Sequence, residues 1–132
     1  MNYTSMCAFS VSILFTIASA APSVAQELVG SYVAYIGEDD LYNSNGVRLS
    51  APWQVLRQDR ANFHKFGRGQ FADEWDAFFA DGNNRAKMEA MVRNGYIDAK
   101  ASRDIMKGGA LVLVEIFGRD GRGNYIRVNV QR

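Results

Sequence analysis

The chain has 132 residues, 15 basic and 14 acidic side chains, one histidine and one cysteine, for a formal net charge of +1. So small a charge gives no field for nucleic acid or an acidic membrane, and a lone cysteine permits no internal disulfide. One histidine and one cysteine also exclude ordinary zinc-ligand spacing.

The opening stretch MNYTSMCAFSVSILFTIASAAPSVAQ contains no Asp, Glu, Lys or Arg. Its apolar run, Cys7 to Ala21, is followed by small residues, Pro22 and an SVA tripeptide. That layout predicts a secretory signal peptide over 1–25, cut after Ala25. The run is shorter than the ~20 residues a membrane-spanning helix needs. Residues 26–132 are then expected to form one compact exported domain, periplasmic or secreted. That domain has no cysteine and no transmembrane segment, so core packing has to hold it.

LVGSYVAYIG, 28–37, predicts a first strand with apolar residues on both faces, as in the middle of a sheet. Asn45-Gly46 predicts a turn. Ser50 as N-cap and Pro52 in the first turn open a helix over about 51–66, stopped by Gly67. A loop with one helical turn near 74–79 follows. A second helix is expected over about 84–93, capped by Asp81 or Asn83. A third, over about 99–107, is capped by Asp98 and closed by Gly108-Gly109. ALVLVEIF and NYIRVNVQ, joined by GRDGRG, predict a terminal hairpin; the second strand alternates cleanly, implying one covered and one wet face. The fold expected is α+β: a small antiparallel sheet, made of the N-terminal strand and the C-terminal hairpin, packed on about three helices.

The chemistry-bearing stretch is RQDRANFH, 57–64. At about 100° per residue, Asp59 and Arg60 fall among Trp53, Val55, Leu56, Phe63 and Phe66 on the inward arc. Arg57 and His64 lie at its edge, and Gln58 and Asn62 on the solvent side. A buried carboxylate requires a partner. Adjacent helical residues diverge, so a partner for Asp59 is expected from outside the helix, and a DEWD carboxylate (Asp73, Glu74 or Asp76) for Arg60. Asp59 and Arg60 are accordingly assigned as a structural brace. The catalytic alternative uses the same pair with His64. It is opposed by Asp59 lying on another side of the helix from His64, and by the absence of a G-x-S-x-G elbow. Neither EDDLYNSNG nor DEWDAFFADGNN fits an EF-hand loop, and no metal or other cofactor is assigned.

Arg119, Arg122, Tyr125 and Arg127 make the C-terminal hairpin basic and aromatic. They are the expected contact face for an acidic protein or polysaccharide of the cell envelope, not for nucleic acid. The stretch YVAYIGEDDLYNSNGVRLSAPWQVLRQDRANFHKFG, with DEWDAFF and GNYIRVNVQ, resembles small secreted bacterial proteins of uncharacterised function. The resemblance spans most of the predicted domain, implies export and a single domain, and supplies no catalytic residue or ligand. The sequence thus points to a non-enzymatic binding domain. Its alternatives are a small hydrolase or lyase using His64, Arg60 and a loop carboxylate, and a structural or stress-related envelope protein.

Overall fold

The computed structural model describes residues 25–131; nearly all of the expected signal peptide lies outside them. Four strands form one sheet in the order β1-β3-β4-β2. They are β1 (Glu27–Ile36), β2 (Tyr96–Ile97), β3 (Ala110–Arg119) and β4 (Arg122–Gln131). Helices α1 (Pro52–His64), α2 (Ala77–Ala80), α3 (Gly82–Ala86), α4 (Met88–Arg93) and α5 (Ala99–Lys107) complete an α+β domain.

Strands β1, β3 and β4 are antiparallel, as expected. The sheet is nevertheless mixed, because β2 runs parallel to β4. Two residues carry no periodic signal, so this strand was invisible in the sequence. The α-helices among the described residues number five, not about three. The expected second helix is broken at Lys87 into α3 and α4, and the 74–79 turn becomes α2. Strand β1, expected in the middle of the sheet, is instead an edge strand, and β3 is central.

Local chemistry explains most boundaries. The N-cap position of α1 is Ala51, one residue later than expected, because Gln54 reaches back to accept from Ser50 N–H at 2.9 Å and Ala51 N–H at 3.1 Å. Asp98 caps α5 by accepting from Ala101 N–H at 2.6 Å. The hairpin turns on Asp120 and Gly121, with φ of 53° and 71°; two left-handed residues suit the twist of the flanking strands.

The inner sheet face carries Tyr32, Ala34, Ile36, Val112, Val114, Ile116, Ile126 and Val128. It packs against Val55, Leu56, Phe79, Met88, Met91 and Ile105 from the helical layer. Where α4 turns into β2, a Cβ on Gly95 would sit 1.8 Å from the Ile126 carbonyl oxygen. Backbone meets backbone there, so nothing flexible can yield. Gly95→Ala is therefore expected to cost about 3 kcal/mol, the upper range for overpacking, measured by urea unfolding. A loss below about 0.5 kcal/mol, the scale of ordinary surface substitutions, would mean that β2 separates from β4 freely.

Candidate functional site

Asp59 and Arg60 are both buried, at 1% and 0% exposure. Arg60 lies with its guanidinium carbon 4.1 Å from the ring centre of Tyr32 and 4.8 Å from that of Phe63. Its Nε donates to Asp59 Oδ2 at 2.7 Å. Its Nη1 donates to Asp76 Oδ2 at 3.1 Å and to the Glu74 carbonyl at 2.9 Å. The expected outside partner for Asp59 is thus replaced by its neighbour, since the long Arg60 side chain curls back across one helical position. The DEWD carboxylate on Arg60 is Asp76.

His64 stands differently from its expected edge position. Its side chain is 5% exposed, and its Nε2 hydrogen-bonds Asp76 Oδ2 at 2.9 Å. The rings of Phe63 and Trp75 meet it edge-on at 4.9 and 6.3 Å. Asp76 also caps α2, its Oδ1 accepting from Phe79 N–H at 2.6 Å. One carboxylate therefore holds Arg60, His64 and a helix terminus together.

A second buried node lies beside the first. Asp40, in the 3-10 turn Glu38–Leu41, accepts from Gly37 N–H at 2.8 Å, Asn62 Nδ2 at 2.8 Å and Gln70 Nε2 at 3.1 Å. Asn62 is consequently 2% exposed, whereas the helical wheel put it in water. The wheel also failed at Phe66, which is 41% exposed because α1 ends at His64 and its inward arc ends with it. Nothing in the helical periodicity signals that a distant turn covers the polar side of α1.

The remaining DEWD carboxylates meet the outer edge of β1. Val33 N–H donates to Glu74 Oε2, Tyr35 N–H donates to Asp73 Oδ1, and Glu74 N–H donates to the Val33 carbonyl, each at 2.8 Å. Among the described residues no three His, Cys, Asp or Glu side chains are placed to hold a metal ion.

Burial sets the electrostatics. It pushes the Asp59 carboxyl up to about 7, against the lowering pull of Arg60's charge and hydrogen bond. Burial likewise raises Asp40 against its Asn62 and Gly37 hydrogen bonds, and raises the Tyr32 phenol. Arg60 is driven further into its charged form by Asp59, which outweighs its own burial. Three buried polar atoms of this cluster, Tyr32 Oη, Asp59 Oδ1 and Arg60 Nη2, have no hydrogen-bond partner among the described residues.

The hairpin residues gather elsewhere, on the outer sheet face. Phe117 and Tyr125 stack with ring centres 5.2 Å apart and planes inclined by 11°. Arg127 lies 5.0 Å from the Phe117 ring centre and 4.0 Å from Glu115. Arg119 and Arg122 face each other across the hairpin end and line a cleft of about 390 Å³ with Gln26, Asp120 and Asn124. Val33, Tyr35, Leu111 and Leu113 continue this face; none of them belongs to the core, and each is partly exposed. Phe71 extends it, 6.1 Å from the Tyr35 ring and 97% exposed.

No family model matches the chain. No curated protein and no solved structure matches it either. No helix among the described residues is long and apolar enough to cross a membrane.

Proposed function

We propose that the chain is a small exported, non-enzymatic domain that binds an acidic protein or polysaccharide of the cell envelope on its open sheet face. The observation that carries this is the stacked Phe117–Tyr125 pair beside Arg127, on a face that contributes nothing to the core. Stacked rings offer apolar area at little conformational cost, and arginines add complementarity to acidic groups. Export rests on the uncharged, apolar layout of residues 1–25.

The polar cluster is read as a brace. Through Asp76 and the Glu74 carbonyl, Arg60 ties the 67–76 segment to α1. The alternative, a hydrolase or lyase using His64, Arg60 and a loop carboxylate, draws support from the His64–Asp76 bond. It requires a substrate to reach those atoms, and the side chains of His64, Asp76 and Arg60 are 5%, 4% and 0% exposed. Asp76 is moreover already committed to Arg60 and to the cap of α2.

Capture from envelope extract tests the face. Arg127→Glu and Phe117→Ala are expected to lose the partner that the wild type retains. Arg103→Glu, on the exposed side of α5, is expected to keep it. An unchanged partner set with all three would remove the outer face from the proposal.

A further inference from the structure

The outer edge of β1 is met in an unusual way. Strand edges expose N–H and C=O groups that template pairing with another chain, and proteins shield them by charge, by bulges or by a covering loop. Here the 70–75 segment lies along the edge, but it is not a strand. Asp73 Oδ1 and Glu74 Oε2 stand where the carbonyls of a neighbouring strand would accept from Tyr35 and Val33, and Glu74 N–H supplies the return bond to Val33. The strap is fixed from behind, as Arg60 Nη1 holds the Glu74 carbonyl and Gln70 N–H donates to Asp73 Oδ2 at 2.7 Å.

We propose that this strap withholds β1 from a second copy of the same chain, so that its displacement exposes an edge for β1–β1 pairing. The strand itself specifies the occupant. β1 is ten residues long and regular from Gly30 to Ile36, past a bulge between Leu28 and Gly30. The outward row of that regular part is self-complementary under a two-fold axis, because antiparallel strands exchange equal N–H and C=O sets. Pairing two copies would join two four-stranded sheets into one and make their open faces continuous. With the strap in place, two such edges would bring Asp73 and Glu74 of each copy against their counterparts. The N–H and carbonyl of Val33 and the N–H of Tyr35 would already be taken. The strap thus opposes self-association by occupancy as well as by charge, and occupancy is the decisive part.

Solution mass by light scattering over a concentration series, with amide exchange at Val33 and Tyr35, tests this. The wild type is expected to be monomeric. Asp73→Ala with Glu74→Ala is expected to dimerise at least tenfold more tightly and to protect both amides as concentration rises. Asp73→Asn with Glu74→Gln removes the charge but keeps the accepting oxygens, and is expected to stay monomeric. Adding Val33→Pro to the double alanine variant removes the outward N–H and is expected to abolish the dimer, which separates strand pairing from misfolding. The proposal is overturned by a wild-type dimer through β1, by a monomeric double alanine variant, by equal dimerisation of the alanine and amide pairs, or by association insensitive to Val33→Pro.

Discussion

Arg60→Ala is expected to destabilise the domain by about 4 kcal/mol, the range for breaking a buried ion pair by deleting one partner. The loss comes from what the arginine leaves behind. Asp59 and Asp76 lose the donor they share, the Glu74 carbonyl loses its Nη1 partner, and Tyr32 and Phe63 flank an empty space. The losses at Asp59 and Asp76 are buried, so water does not compensate for them. Arg60→Met restores apolar volume without charge and is expected to recover part of the loss. Urea unfolding measures both. A loss within about 0.5 kcal/mol for Arg60→Ala, as at an ordinary surface site, would contradict the burial and partners described.

The second large effect is in pH dependence. Burial holds the folded Asp59 carboxyl at about 7, against an ordinary value of 3.8. Between these values the folded chain keeps a proton that the unfolded chain has released. Asp59 therefore contributes its full stability below about pH 4, and that contribution is lost as pH rises through about 7. Each tenfold difference in proton affinity between the folded and unfolded chain is worth about 1.4 kcal/mol, so the loss is on the order of 4 kcal/mol. Asp59→Asn keeps an oxygen for Arg60 Nε and removes the titration. Its stability is expected to fall much less from pH 4 to pH 8. A residual slope of the same sign remains from Asp40, which burial also raises. Matching slopes for wild type and Asp59→Asn, in chemical unfolding at several pH values, would refute the assignment.

Helical periodicity was enough to put Asp59 and Arg60 inside, because amphipathic spacing reports which side of a helix faces the core. It could not pair them, since that pairing depends on the reach and curl of an arginine side chain. Asp76 was visible only as one of three carboxylates in DEWD. The choice among them follows from Asp73 and Glu74 being used at the β1 edge, a tertiary fact. Asn62 and Asp40 were missed for the same reason, because a turn distant in sequence folds over the polar side of α1. The strand β1 looked central because both its faces are apolar, yet it lies at an edge. Its outer face is the exposed side of the sheet, and its free side is covered by a strap with no strand pattern. The alternation in β4 was fully legible, and so was the wet face it implies.

As a brace, the Asp59–Arg60–Asp76 cluster is proposed to hold the 67–76 segment against α1 and the edge of β1. Residue-resolved amide exchange on Arg60→Met, under conditions where the variant remains folded, tests it most directly. The amides of Val33, Tyr35 and Glu74 are expected to lose protection together, by roughly a hundredfold or more, given that each 1.4 kcal/mol of lost local stability is tenfold. The amides of β3 and β4 at the sheet centre would change far less. Unchanged protection at Val33, Tyr35 and Glu74 would contradict it.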